Sequence, residues 1–96
     1  MNISFEWDEA KAHANLKKHH VSFEIAARVF LDPLALAYQD RIESGEQRWQ
    51  TLGMVDGCLL LLVAHTVRHD EDIEVIRIIS ARKADKKERK HYEENR

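Results

Sequence analysis

Cysteine, glycine and proline are all scarce in this sequence, and each scarcity excludes a class of site. Cys58 is the only cysteine, so the chain has no internal disulfide and no zinc site built from cysteines. The lack of disulfides fits a reducing cytoplasm. With three glycines and one proline in 96 residues, there is no glycine-rich phosphate loop and no G-x-S-x-G nucleophile elbow.

Long hydrophobic runs are missing as well. The longest, CLLLLVA at residues 58–64, is far too short to span a bilayer, and the N-terminus lacks the basic start and apolar stretch of a signal peptide. We therefore expect a cytoplasmic protein with no membrane contact. A hydrophobic fraction of 44% and a charged fraction of 33% predict one globular domain over residues 1–96. The net charge of −2 includes 15 Lys and Arg residues, so it neither supports nor excludes a nucleic-acid partner.

Two short helices are predicted in the first third of the chain. Asp8 is a good N-cap for a helix at residues 9–18, which opens with acidic and closes with basic residues. Ser22 caps a second helix at residues 23–30, whose apolar residues recur at helical spacing. Asp32 precedes the only proline and is therefore disfavoured in helical angles, so the second helix ends there.

From Leu34 onward the hydrophobic period is two, which predicts strands separated by turns, with Asp56-Gly57 as a tight hairpin signal. Including one short strand near the N-terminus, the predicted strands are residues 3–7, 34–40, 46–55, 58–68 and 73–82. A polar helix is predicted over residues 83–96. The order is β-α-α-β-β-β-β-α. It indicates an α+β fold in which two N-terminal helices pack on an antiparallel meander sheet and a helix closes the chain.

Three arginines lie on or at the ends of adjacent predicted strands: Arg48, Arg68 and Arg82. A guanidinium in an apolar strand must reach solvent, a carboxylate or an anion, and its planar fork suits phosphate. We expect the three groups to gather into one anion pocket; the alternative is that each is held in a structural ion pair. Strict alternation places Arg77 on the opposite side of its strand from Arg82.

A basic helix follows Arg82. The spacing i, i+3, i+4, i+7 predicts one common helix face for Lys83, Lys86, Lys87 and Lys90. This face either contacts an RNA backbone or is simply a solvated surface. Tyr92 either packs on the sheet or stacks on a base.

Histidines supply candidates for proton transfer. His19 follows Lys18, a further candidate for binding RNA, at the break between the first two helices, and His65 lies late in the central strand, near Arg68 in the sequence. His65 and His69 are four residues apart, but on a strand and turn they do not form the helical His-x-x-x-His pair. We therefore predict no metal and no cofactor.

Several blocks together resemble the BrnT family of bacterial type II toxins. These blocks are FEWDEAK, a following Asn, KHHVSF, VFLDP, GEQRWQTLG, HTVR and IRIISARKADKKERKHYE, which cover about residues 5–94. The resemblance implies a RelE-like fold and a ribonuclease that acts without metal and arrests translation. It also implies a BrnA-type ribbon-helix-helix antitoxin, through which alone the complex would contact DNA.

The positions that match family motifs are Lys18, His19, Glu46, Arg48, Thr66, Arg68, Ser80, Arg82 and Tyr92. One position departs from the family pattern: His20 stands where the family usually has glycine. Glycine there indicates a positive φ at the end of the first helix, which histidine tolerates less well.

The preferred hypothesis is a metal-independent endoribonuclease. The 2′-hydroxyl would attack the adjacent phosphate to give a 2′,3′-cyclic phosphate and a 5′-hydroxyl, with the arginines stabilising the developing charge. The proton-transfer candidates are His19, His65, Glu46 and Tyr92. The alternatives are a non-catalytic module that holds the antitoxin and a plain RNA-binding protein.

Overall fold

The computed structural model describes residues 2–95 and has an α+β fold, as the sequence predicted. Within these residues, five strands and three α-helices follow one another, with a 3₁₀ turn at Arg28–Leu31 directly after the second helix. The elements are β1 (Asn2–Glu6), α1 (Glu9–His19), α2 (Phe23–Ala27), β2 (Leu36–Glu43), β3 (Glu46–Val55), β4 (Leu59–Asp70), β5 (Ile73–Lys83) and α3 (Lys86–Glu94). None of these helices is long and apolar enough to cross a membrane.

Both N-terminal helices start where their capping residues predict. The Asp8 side chain accepts a hydrogen bond from the Lys11 amide at 3.0 Å, and the Ser22 hydroxyl accepts one from Ile25 at 3.1 Å. Helix α1 ends at His19 and is capped by His20, which adopts the left-handed conformation with φ 61° and ψ 27°. The positive φ inferred from the family's glycine is therefore confirmed, with histidine in its place.

The sheet has the strand order β1-β5-β4-β3-β2. Strands β2 to β5 form the predicted antiparallel meander, but β1 pairs in parallel with β5, so the sheet is mixed rather than antiparallel throughout. The sequence predicted the four-strand meander but did not place β1, which adds the parallel edge. Since β1 is far in sequence from β5, no turn signal announces the pairing.

Tight turns connect the meander strands. Asp56 and Gly57 have φ values of 54° and 73°, and Ser44 and Gly45 have 53° and 78°. Two consecutive positive φ angles are typical of the type I′ turns that suit the twist of a β-hairpin. The Asp-Gly hairpin prediction is thus confirmed.

A β-bulge interrupts the pairing of β4 with β5. Ala64 pairs with Ser80, whereas the next residue, His65, pairs with Ile78. Ile79 is therefore an extra residue without a partner on β4. A bulge of this kind reverses the inward and outward alternation of the strand that contains it.

The two faces of the sheet carry different layers. On the helix side, defined by Leu61, Val63 and Ile78, the sheet packs against α1 and α2 around the fully buried Phe23. On the opposite face, which we call the arginine side, a smaller core beneath α3 joins Tyr92 to Leu52, Leu60 and Leu62. Only part of the arginine side is covered by α3, and the remainder is polar.

Asn15 fixes α1 to the sheet through three hydrogen bonds. Its side-chain amide donates to the carbonyls of Val21 and Ala81, both at 2.9 Å, and its Oδ1 accepts from the Ala81 amide at 3.0 Å. The side chain is buried, so these bonds satisfy groups that water does not reach. They also set the position of the C-terminal half of β5.

Helix α3 begins three residues later than predicted. Lys83 is the last residue of β5, and a capping box between Asp85 and Glu88 starts the helix at Lys86. Arg96, the last residue of the predicted helix, lies outside the described residues.

Candidate RNA-binding site

Three arginines from three neighbouring strands lie together on the arginine side. Arg77 on β5 pairs with Thr66 on β4. Trp49 pairs with His65, so Arg48 lies beside Thr66 on β3. At an inter-strand spacing of about 4.8 Å, the Arg48 and Arg77 backbones are about 10 Å apart. Arg68 is two residues beyond Thr66 and points to the same face, which completes a group that we call the arginine cluster: Arg48, Arg68 and Arg77.

The bulge at Ile79 brings Arg77 to this face. Alternation over an unbroken strand predicted that Arg77 and Arg82 point to opposite sides. With one extra residue between them, both lie on the arginine side, paired with Thr66 and Leu62 respectively. The predicted orientation of Arg77 was therefore wrong, because a bulge leaves no signature in hydrophobic alternation.

Each member of the arginine cluster has a glutamate partner. Arg68 binds Glu6 in a bidentate pair at 2.7 and 3.0 Å, Arg77 binds Glu46 at 2.5 Å, and Arg48 lies 3.0 Å from Glu43. The hydrogen bond from Arg68 lowers the pKa of Glu6, and burial acts in the opposite direction. The positive charges of Arg68 and Arg77 add smaller contributions, so the pKa of Glu6 is lowered overall. Glu6, Arg68, Arg77 and Glu46 thus interact with one another across the strands, whereas Arg48 and Glu43 form a pair of their own.

These pairs are exposed enough to exchange partners. The side chains of Arg68 and Glu6 are 53% and 40% exposed, and those of Arg77 and Glu46 are 41% and 42% exposed. Exposed ion pairs contribute only about 0–1 kcal/mol each. An incoming phosphate, which accepts the same bidentate hydrogen bonds, can therefore replace a carboxylate at small cost.

Arg48 is the most buried arginine of the cluster, with its side chain 19% exposed. Its Nε is buried, and no atom within residues 2–95 accepts a hydrogen bond from it. A buried donor without a partner loses hydration without compensation. This atom therefore has unused hydrogen-bonding capacity inside the cluster.

Arg82 does not join the arginine cluster. Its partner Leu62 is four residues from Thr66 along β4, a separation of about 13 Å. Both terminal nitrogens of Arg82 bind the carboxylate of Glu88 at 2.8 Å, and this hydrogen bonding raises the pKa of Arg82. Since Glu88 also caps α3, Arg82 fastens that helix to the sheet. The expected convergence of Arg48, Arg68 and Arg82 was wrong on this point.

Tyr92 is part of the core rather than of the cluster. It is 4% exposed, and its hydroxyl donates to Asp32 at 2.6 Å. Burial alone would raise the pKa of Asp32. Hydrogen bonds from Tyr92 and from the amides of Met54 and Leu34 outweigh it and lower that pKa. The Tyr92 hydroxyl thus connects α3 to the chain segment that follows α2.

The histidine candidates lie on the helix side. His65 is 3% exposed, its Nε2 is 2.7 Å from Thr51 Oγ1, and its ring packs edge-on against Phe30. Burial lowers the pKa of His65 to about 4. Lys18 and His19 are in the last turn of α1, which packs on the same side. The sheet therefore separates these three side chains from the arginine cluster: His65 is three residues from Arg68 on β4, as the sequence places it, but lies on the opposite face.

The four lysines near α3 are exposed but do not form one helical face. Lys83 belongs to β5, so only Lys86, Lys87 and Lys90 share α3. Lys87 lines a shallow groove beside Tyr38 and His91, between α3 and the arginine side of the sheet. Within residues 2–95, no three His, Cys, Asp or Glu side chains are grouped so that they could share a metal ion.

A protein-family comparison matches residues 7–88 to the BrnT model, described as the ribonuclease toxin BrnT of type II toxin-antitoxin systems. The chain belongs to the BrnT family. Membership makes it a ribonuclease toxin of a type II toxin-antitoxin system, for which an antitoxin partner is implied. A comparison with curated proteins finds no match.

The fold is similar to that of a solved BrnT structure. The crystal structure of the Brucella abortus ribonuclease toxin BrnT aligns with a TM-score of 0.62 and 23% sequence identity, covering 90% of this chain and 100% of the other. At this identity the similarity concerns the fold alone.

Sequence reasoning missed three charged members of the site in this BrnT-family chain: Arg77, Glu6 and Glu43. Arg77 was assigned to the wrong face because the bulge was not visible. Glu6 is on β1, whose parallel pairing places it directly beside Arg77. Glu46 and Arg48, by contrast, are two residues apart on β3, so simple strand alternation places them on one face.

Proposed function

We propose that this BrnT-family toxin is a metal-independent endoribonuclease that holds the scissile phosphate in the arginine cluster. The observation that supports the proposal is the arrangement of Arg48, Arg68 and Arg77 on three adjacent strands, with the buried Arg48 Nε lacking a partner among the described residues. Two or three guanidinium groups converging on one phosphate would stabilise the charge that grows on its oxygens.

Glu46 is the proton acceptor that best fits this geometry. It is on the same strand and the same face as Arg48, and it already contacts Arg77. The 2′-oxygen of the substrate would lose its proton to Glu46 and bond to the adjacent phosphorus. The 5′-oxygen would leave and take a proton from solvent, so that the products are a 2′,3′-cyclic phosphate and a 5′-hydroxyl.

The other earlier candidates have different roles in this proposal. His19 and His65 are on the wrong side of the sheet, and the buried Tyr92 hydroxyl is used by Asp32. Arg82 holds α3 in place. The exposed lysines Lys83, Lys86, Lys87 and Lys90 would guide the RNA backbone electrostatically towards the cluster.

The biological consequence of this cleavage would be arrest of translation in the cytoplasm. A BrnA-type ribbon-helix-helix antitoxin would neutralise the toxin and supply all DNA contacts of the complex. The implied type II system supports a protein antitoxin, and the BrnA type is proposed from the sequence resemblance.

The test compares alanine variants of arginines inside and outside the cluster. Purified protein is incubated with RNA in EDTA, and both the cleavage rate and the chemical ends are determined. We expect Arg77→Ala and Arg48→Ala to lower the rate by roughly 10²–10³-fold, the range for losing one donor to a developing anion. Arg41→Ala is the matched control, because Arg41 is an exposed arginine on the edge strand β2.

Two results would contradict the proposal. One is wild-type cleavage by Arg77→Ala. The other is activity that disappears in EDTA and returns with a divalent metal. RNA that is retained without cleavage would instead support a plain RNA-binding module, and neither binding nor cleavage would support a module that only holds the antitoxin.

A further inference from the structure

Half of the helix side of the sheet is left uncovered. Helices α1 and α2 pack against β5, and the 3₁₀ turn packs against β3, where Val29 contacts Gly53. Beyond Phe30 no described element covers the sheet. A groove of about 470 Å³ opens there, a volume within the range of ligand-binding clefts.

The floor of this groove is apolar and uncharged. Trp49, Val67 and Ile76 line it, each from a different strand. Between them lie Thr51 and His65, whose Oγ1 and Nε2 are 2.7 Å apart in a hydrogen bond, whereas the buried His65 Nδ1 has no partner among the described residues. The floor therefore offers an apolar side chain a place to leave water without burying a charge.

The rim of the groove is acidic. Glu74 and His69 lie at its edge, and the adjoining turn between β4 and β5 carries the exposed Glu71 and Asp72. No lysine or arginine lines the groove within the described part of the chain. Negative charge in this position repels an RNA backbone and attracts a basic segment of a protein.

We propose that this groove is the docking site for the antitoxin, which inserts an apolar side chain flanked by lysine or arginine. The implied type II system provides a protein partner, the apolar floor provides the site for an anchor, and the acidic rim selects a basic sequence around it. The inference rests on family membership and does not depend on the cleavage chemistry proposed above.

The geometry has a consequence for neutralisation. The groove and the arginine cluster are on opposite faces of one sheet, so the anchor itself does not touch the RNA site. The antitoxin would hold the toxin from the helix side and reach the arginine side only with another part of its chain.

Ala37 gives a direct test, because it is exposed on β2 and lines the groove wall. Ala37→Arg fills the groove and adds a positive charge opposite a basic partner. Isothermal titration of the purified toxin with its cognate antitoxin should show an affinity loss of about 30-fold or more, the scale for losing an interface anchor. Ala14→Arg, an equally exposed substitution on α1, is the matched control and should bind as wild type.

A second measurement avoids any change in the groove. Trp7→Phe leaves Trp49 as the only tryptophan of the chain, and Trp49 lines the groove floor. Antitoxin binding should shift its fluorescence to shorter wavelength and protect it from acrylamide quenching. If thermal denaturation shows that Ala37→Arg is not folded, this readout still tests the proposal.

Three outcomes would overturn the proposal. The first is unchanged binding by folded Ala37→Arg together with unchanged Trp49 emission. The second is loss of binding in Leu31→Arg alone, since Leu31 is 80% exposed on a different apolar surface. The third is that the wild-type toxin alone is a dimer whereas Ala37→Arg is a monomer, which would assign the groove to a second copy of the chain. RNA cleavage by Ala37→Arg should equal that of wild type, so failure here is distinguishable from failure of the nuclease proposal.

Discussion

Mild acid should destabilise this fold through His65. The side chain is buried against Phe30 and Thr51, and burial lowers its pKa to about 4 from an ordinary value near 6.5. In the unfolded chain the imidazole takes up a proton below about pH 6.5, whereas in the folded chain it stays neutral until about pH 4. Stability is therefore complete above the unfolded pKa and falls as the pH drops between these two values.

The size of the effect follows from the pKa difference. About 2.5 pKa units at 1.36 kcal/mol each give a total of about 3 kcal/mol once both states are protonated. Between pH 7 and pH 5, the same two pKa values predict a loss of about 2 kcal/mol from the free energy of unfolding. That loss is a large part of the stability of a domain of this size.

The assay is urea unfolding at pH 7 and pH 5, for the wild type and for His65→Gln. Glutamine can retain a hydrogen-bonding group near the position of Nε2 but does not titrate. Carboxylates that titrate in this range do so in both proteins, so the difference between their losses isolates His65. His69→Gln is the control, since the His69 side chain is 70% exposed.

We expect the wild type to lose about 2 kcal/mol more than His65→Gln between the two pH values, and His69→Gln to behave as the wild type. Equal losses in the wild type and His65→Gln would refute the reasoning. They would mean that the folded protein admits a proton to His65 as easily as the unfolded chain does.

Three further substitutions test the fold, each by urea unfolding at pH 7 against the wild type. Asn15→Ala leaves three buried backbone groups without partners, including both of Ala81, and should destabilise by about 3–5 kcal/mol; a loss under 1 kcal/mol would contradict this. His20→Gly removes the strain of a left-handed residue and should stabilise by about 0.5–1 kcal/mol, whereas a decrease would mean that the His20 side chain makes a compensating contact. Gly53→Ala places a Cβ 2.9 Å from Val29 and should lower the free energy of unfolding by about 1–3 kcal/mol. Wild-type stability would show that the 3₁₀ turn can move away from β3 without cost.

Local signals predicted most of the fold. The caps at Asp8 and Ser22, the Asp-Gly turn and the bounds of β3 all follow from interactions among residues close in sequence. The first helix and the strands of the meander deviate from their predicted ends by two or three residues at most, within the usual uncertainty of helix and strand ends. For these elements the sequence periodicity and the turn chemistry favour the same structure.

The site was predicted less well because it depends on long-range pairing. Arg82 was expected to bind a phosphate together with the other arginines. Instead, its guanidinium binds the carboxylate of Glu88, which lies six residues later in the first turn of α3. Glu6 reaches the arginine cluster only through the parallel docking of β1, which no sequence pattern indicated. Side-chain partners across a sheet are determined by register, and register here contains a bulge.

That bulge makes the pairing of β5 as informative as its composition. Asn15 fixes the strand at Ala81, so a relative that kept every residue of β5 but paired it with β4 without the bulge would turn over the half that carries Arg77. Such a protein would retain every motif residue and yet direct one guanidinium to the apolar helix side of the sheet. Loss of Ile79 together with the bulge would instead leave Arg77 on the arginine side, because alternation along the shortened strand gives the same face.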